Sequence, residues 1–370
     1  MPAAKKYELN NSVILRIMRY AAGNSKGSGG GHRPLLAVCR RWRLVLLGYL
    51  CSEYTIYFKP SNRVIEGVYP LWSATKIEND PGSVAFGYVN KVRIEVDYND
   101  IFDGTVVHAM LYNLNDAFFF PAAKTMSILI EQTASNVPED IANDNDSQAR
   151  ILVRHIHRMA PAIQNMHVQY YAYSNVYSNS TKDSLARLLT GLYYNKERSH
   201  LDIQYNDFFG CAEPYIAHNL TDIVCTLNIS TCNYMLYLVQ NSASSLISLK
   251  TTNVGTGKDV YMQLFISLYD KSIITYPRLE KLCFGATYEW DYNAPRPYLP
   301  NHAPFPRLKW LQLDSAYPFN DDILFRQNER TLEYLCIQPD MEILEILDRT
   351  GTFANSKIRG LKHVRNKFGL

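Results

Sequence analysis

The sequence predicts an α/β chain in two parts: a short N-terminal helical module over residues 1–58, then an irregular solenoid of strand repeats over residues 59–370. Three observations carry this expectation. Apolar residues near the N-terminus recur at helical spacing on both sides of a Gly/Ser-rich stretch. The pattern apolar-x-x-apolar-x-apolar returns repeatedly through the rest of the chain. At 370 residues and 47% hydrophobic content, the chain holds more core material than one ordinary domain needs.

In the first part, Asn10, Asn11 and Ser12 are each suited to cap a helix, and Val13, Ile14, Ile17 and Met18 fall on one helical face behind them. A helix over about Ser12 to Ala22 follows. The Gly-rich insertion at residues 23–31 interrupts it, because glycine loses much backbone entropy on ordering and these side chains offer nothing to pack. From Pro34, which suits a first helical turn, Leu35, Val38, Cys39, Trp42 and Leu46 return to helical spacing, with Arg40, Arg41 and Arg43 on other faces. Two or three short helices enclose little interior. Each large apolar side chain left exposed forfeits about 1.5–3 kcal/mol, so the module is expected to dock onto something.

In the second part, the clearest repeats are Leu279, Leu282, Phe284; Leu308, Leu311, Leu313; and Leu332, Leu335, Ile337. The first two share a lead-in of aromatic, proline, arginine and leucine at Pro277 and Pro306. Weaker copies align at Val89, Val92, Ile94; Ala123, Met126, Ile128; Ile163, Met166, Val168; Val224, Leu227, Ile229; and Leu246, Leu249. This is the strand signature of leucine-rich repeats. Ser184 to Leu192 and Met262 to Tyr269 carry helical periodicity, which suits repeats pairing one strand with one helix. Only Cys232 fills the position where regular repeats place an inner Asn or Cys, so the array is expected to be divergent.

Side chains alternate along a strand, so residues between the anchors face the opposite side of the sheet. One column then reads Lys91, Thr125, Asn165, Thr226, Ser248, Lys281, Trp310, Tyr334, and the next Arg93, Ser127, His167, Asn228, Lys250, Cys283, Gln312, Cys336. Trp310 and Tyr334 stand out on neighbouring repeats of an otherwise polar face, and Trp and Tyr are enriched among interface hot spots. Lys281, Trp310, Gln312 and Tyr334 are therefore the candidate partner-binding residues, with a helix or loop covering them as the alternative. The proline-aromatic run from Thr287 to Pro304 is a further candidate contact, because proline lowers the entropy a loop loses on binding.

The run from Leu9 through Val13, Ile14 and Ile17, followed by Leu35, Leu36, Ala37, Val38, Cys39, Arg40, Arg41, Trp42 and Arg43, resembles an F-box, with a leucine-led first helix and a Val-Cys-Arg-Arg-Trp-Arg segment. Asn10 and Ser12 stand where that family usually carries a proline and an acidic residue. Together with the repeats, the chain is similar to divergent, fungal-type F-box and leucine-rich-repeat proteins. The resemblance implies a substrate-recognition subunit of a cullin-type ubiquitin ligase. Leu9, Val13, Ile14, Ile17, Leu35, Leu36, Val38 and Trp42 would bind a Skp-type adaptor and through it a cullin, while the repeats select a protein substrate. The alternative is a leucine-rich-repeat scaffold whose N-terminal helices only cap the array, since terminal repeats need capping.

No nucleophile elbow, zinc-protease helix, phosphate loop or dinucleotide fingerprint occurs, so no enzymatic role and no cofactor is expected. His155 and His157 are two apart, which diverges on a helix, whereas paired metal ligands want three or four. Asp140, Asp144 and Asp146 lack the turn glycine and closing glutamate of a calcium loop. Tyr170, Tyr171, Tyr173 and Tyr177 have no accompanying basic patch, and the formal charge is only +3, so nucleic acid is not an expected partner. The seven scattered cysteines read as reduced thiols. No apolar run approaches the roughly 20 residues that span a bilayer, and no export leader is evident, so the expected compartment is the cytoplasm or nucleus, without a membrane partner.

Overall fold

The computed structural model describes residues 10–23, 40–59, 64–68, 84–97, 100–101, 119–132, 145–172, 187–204, 219–227, 233–253, 264–267, 270, 272–286, 304–313, 328, 330–337 and 360–363. Within them the chain is an α/β protein with a predominantly parallel sheet and few helices. It divides into two compact units, residues 1–129 with 151–164, and residues 130–150 with 165–370.

In the first unit, α1 (Asn11–Gly23) starts where the capping residues stand. Asn10 is the cap: its side-chain oxygen accepts from the Ser12 amide at 3.1 Å, and its carbonyl from the Val13 and Ile14 amides. Helix α2 (Arg40–Leu50) continues the second helical pattern and is tied to α1 by Arg41 Nη2 donating to Asn11 Oδ1 at 3.3 Å. Strand β1 (Glu53–Lys59) follows almost at once, so the sheet begins inside the span read from the sequence as helical. Its pattern, Cys51, Tyr54, Ile56, is an anchor set the sequence reading passed over. β1 pairs antiparallel with β2 (Val64–Val68) and parallel with β3 (Lys91–Asp97). The order continues to β4 (Thr125–Gln132) as β4-β3-β1-β2. Tyr54, Phe86 and Phe120 form the aromatic centre of this unit, with ring centroids 5.0–5.4 Å apart. Burial pushes the Cys51 thiol up to about 11 and the Tyr54 phenol up to about 12.

In the second unit, β5 (Asn165–Ala172), β6 (Arg198–Gln204), β7 (Asp222–Leu227), β8 (Ser248–Asn253), β9 (Lys281–Ala286), β10 (Trp310–Leu313), β11 (Tyr334–Ile337) and β12 (Gly360–His363) each lie beside their neighbour in sequence, all parallel. Helix α3 (Asn145–Met159), whose residues 151–159 belong to the first unit, precedes β5, residues 187–193 are helical before β6, and α4 (Asn233–Asn241) precedes β8. Ala149, Leu152, Ile156 and Met159 form the buried stripe of α3 at helical spacing. Met262 to Tyr269 is not the expected helix. Its described residues form a turn and a bridge from Ile266 to Ile273, and Gln240 Nε2 of α4 donates to the Ile266 carbonyl at 2.9 Å.

A recurring turn sets the register. Before β4, β5, β9 and β10 the chain makes a turn with proline at its second position, Pro121, Pro161, Pro277 and Pro306, closed by amide-to-carbonyl bonds from Ala123 to Phe120, Ile163 to Ala160, Leu279 to Tyr276 and Leu308 to Phe305 at 3.2–3.4 Å. Proline's fixed φ suits that position. The next amides then reach back to the preceding strand's entry: Lys281 to the Ile247 carbonyl, Trp310 to that of Glu280, and Tyr334 to that of Lys309, at 2.9–3.1 Å. Each turn thus delivers its strand in the same frame as the strand before it.

The anchors expected at β3, β4, β5, β9 and β10 are all buried, as are Leu246 and Leu249 of β8 and Leu332 and Leu335 of β11. The set expected at Val224, Leu227 and Ile229 is corrected: the buried residues are Leu220, Ile223 and Cys225, and Val224 lies on the opposite face. β6 escaped notice because its first anchor is Ser199, which breaks the apolar pattern although the residue is fully buried. Thr221 Oγ1 accepts from the Ser199 amide at 3.1 Å, and the Thr221 amide donates to the Ser199 carbonyl at 2.9 Å, which satisfies these backbone groups at the strand entry.

Candidate interaction surface

The face opposite the anchors carries the chain's most distinctive side chains. From β5 to β11 the register aligns His167, His200, Asp222, Ser248, Lys281, Trp310 and Tyr334 in one row. This corrects the expected column, which placed Asn165 and Thr226 beside Ser248. Thr226 is displaced because the anchors of β7 are Ile223 and Cys225, which sets Asp222 against Ser248, and Asn165 because β6 starts two residues ahead of β7 on the turn side, with Arg198 opposite Asn165 but His200 opposite Asp222. The second row reads Gln169, Asp202, Val224, Lys250, Cys283, Gln312 and Cys336.

The four candidate partner-binding residues come together. Lys281, Trp310 and Tyr334 are cross-strand neighbours, and Gln312 stands two residues along β10. Trp310 and Tyr334 are 38% and 44% exposed, with rings 6.1 Å apart and tilted by 42°. Lys281 Nζ sits 5.5 Å from the Trp310 ring centroid, a cation–π contact that orients the indole. At the strand entry, Lys309 Nζ bonds Glu280 Oε1 at 3.0 Å. The proline-aromatic run lies outside the described residues except Pro304, whose carbonyl accepts from the Tyr276 amide at 2.7 Å.

At the other end of the row is a polar cluster that sequence reasoning did not assemble, because β6 had not been recognised as a strand. The His167 and His200 rings meet edge to face at 4.1 Å, with Asp202 and Asp222 beside His200. Thr221 Oγ1 donates to Asp222 Oδ2 at 2.7 Å, and Tyr193 donates its hydroxyl to the His200 carbonyl at 2.8 Å. Burial holds the His200 imidazole below its ordinary 6.5, against the opposing pull of Asp222 and Asp202. A base whose folded-state pKa is depressed binds its proton more tightly when unfolded. Its contribution is present above 6.5 and is lost as pH falls through the folded-state value. Thermal melting is expected to drop as pH falls below 6.5, and less steeply in His200→Gln. Equal slopes in the two proteins would assign the loss to other groups.

Of the residues assigned to adaptor docking, Leu9, Leu35, Leu36 and Val38 lie outside the described residues, as does the side chain of Trp42 within α2. Val13 and Ile17, one turn apart on α1, are 41% and 42% exposed, and Leu44 on α2 is 44% exposed. Ile14 is corrected: at 1% exposure it holds α1 in place rather than facing a partner.

Tyr170 is buried and Tyr171 half-buried on β5, where both pack with the sheet. Cys51, Cys225, Cys283 and Cys336 are thiols outside any disulfide. Among the described residues no group of His, Cys, Asp or Glu is arranged to hold a metal ion, and no helix is long and apolar enough to cross a membrane. Comparison with protein-family models, curated proteins and solved structures finds no match to this chain.

Proposed function

We propose that this chain is a substrate-recognition subunit of a cullin-type ubiquitin ligase. In this reading α1 and α2 form an F-box-like module that binds a Skp-type adaptor, and a leucine-rich-repeat solenoid presents the β9–β11 face to a protein substrate. The observation that carries it is the exposed apolar set Val13, Ile17 and Leu44 on the helical pair, beside an Ile14 that is fully buried. A helix whose inner stripe is already satisfied gains nothing from a second apolar stripe in water, whereas an interface does. The chain would position a substrate, and the chemistry would belong to its partners.

The test is purification of the full chain with a Skp-type adaptor, wild type against Val13→Asp with Ile17→Asp. Stoichiometric adaptor is expected with wild type. The double variant is expected to weaken it by about 100-fold, because two charges are buried against an apolar partner, while its melting temperature stays unchanged. Undiminished adaptor binding by the variant, or none by wild type, would overturn the assignment. A second reading has its own support: α2 runs into β1 through bonds from the Cys51 amide to the Leu47 carbonyl and from Ser52 Oγ to the Tyr49 carbonyl, both 2.8 Å. Helices so continuous with the sheet also suit a scaffold protein whose helical pair caps the repeats, and that reading expects an adaptor-free chain.

A further inference from the structure

We infer that the β9–β11 face takes an acidic peptide segment carrying an aromatic side chain. This names the substrate chemistry of the receptor reading above and rests on that reading for its role in the cell.

The charge around the aromatic pair points one way. The segments that enter β9, β10 and β11 carry Arg278, Lys281, Arg307, Lys309 and Arg330 against Glu280, Glu329 and Glu333, a surplus of two positive charges. Lys309 is matched by Glu280, which leaves four exposed cations, Arg278, Lys281, Arg307 and Arg330, against two carboxylates in the sequence of these segments. A like-charged partner would be repelled and an acidic one steered in.

The geometry sets a spacing. Neighbouring strands lie about 4.8 Å apart, so Tyr334 lies about 10 Å from Lys281 across the strands, two steps along the row. An extended peptide rises about 3.3 Å per residue and covers that span in about three residues. A segment crossing the strands with a carboxylate at Lys281 would place its side chain three positions on against the Trp310 and Tyr334 rings. The cations are spread at strand intervals along the turn edge rather than converging on one point. That arrangement suits several carboxylates in a row better than a single phosphate dianion, which calls for converging arginine forks. The two rings also lie against each other, with Lys281 on the indole, so no gap between them admits a nucleobase.

The test is fluorescence anisotropy of the full chain, without adaptor, against a short labelled peptide of aspartate and serine with one phenylalanine three positions after an aspartate. Adaptor docking and this surface are then read separately. The peptide is expected to bind and to weaken as salt rises. Replacing its aspartates by lysine, moving the phenylalanine next to the aspartate, or using Trp310→Ala protein should each weaken binding about tenfold or more, and Lys281→Glu with Arg307→Glu should abolish it. Tighter binding of a polyuridylate oligonucleotide than of the peptide would overturn the proposal. So would equal binding of the lysine peptide, indifference to these variants, or no acidic-peptide binding at about 1 mM, the weak limit of specific recognition.

Discussion

Leu311→Ala is expected to cost about 2–5 kcal/mol of folding stability, while Trp310→Ala, one residue earlier, costs well under 1. The two side chains leave the same strand on opposite sides. Leu311 is fully buried between Leu282 and Leu335, its register partners on β9 and β11, which are themselves buried. Removing it leaves a cavity that the flanking strands cannot collapse, because backbone bonds on both sides hold their spacing. Trp310 is 38% exposed on the opposite face, against Tyr334 and Lys281, so its loss should appear chiefly in partner binding. Chemical denaturation of both variants decides the matter. A loss for Trp310→Ala as large as for Leu311→Ala would mean that the indole is buried, and the recognition surface would fall with it.

That contrast also shows what the sequence made legible. The anchors at Leu279, Leu282 and Phe284, and at Leu308, Leu311 and Leu313, were readable because every one is a large apolar residue and the proline turn before them is repeated nearly verbatim. The same turn at Phe120–Pro121 and Ala160–Pro161 carries alanine in place of arginine, and only the hydrogen bonds reveal that it is the same device. β6 stayed hidden for a physical reason: Ser199 is a small polar residue that stands fully buried at a core position and breaks the apolar pattern. Missing that strand put Asn165 where His167 belongs, and the misread anchors of β7 put Thr226 where Asp222 belongs, which kept His167, His200 and Asp222 out of one row. The aromatic surface survived because β8 to β11 keep one frame among themselves. The exposed stripe on α1 was legible as a helix face, but periodicity alone does not say which apolar residues of a face turn inward. The burial of Ile14 beside the exposed Val13 and Ile17 needed coordinates.

Phe305→Ala is expected to be the most damaging single change in the second unit, at about 3–5 kcal/mol. Phe305 opens the turn that leads into β10, and its fully buried ring packs on Phe265 at 5.4 Å and 70° and on Tyr276 at 5.6 Å and 35°. Tyr276 opens the equivalent turn before β9, and its buried hydroxyl bonds the Leu264 carbonyl. Burial and a nearby Cys225 hold that phenol well above its ordinary range, so it stays a neutral donor at any working pH. One aromatic cluster therefore holds two successive turns and the segment at residues 264–267. Two milder changes calibrate the result. Tyr276→Phe keeps the ring and strands the Leu264 carbonyl, costing about 1–3 kcal/mol. Pro306→Ala keeps every contact of the ring and frees the turn in the unfolded chain, costing about 0.4–1 kcal/mol. Because Phe265 and Phe305 share one pocket, Phe265→Ala with Phe305→Ala should lose less than the sum of the single losses. Urea denaturation of the four single variants and the double sets the order. If Phe305→Ala proved no worse than Pro306→Ala, the turn would be held by its backbone alone, and the cluster would have no part in fixing the strand register that places Trp310 beside Tyr334.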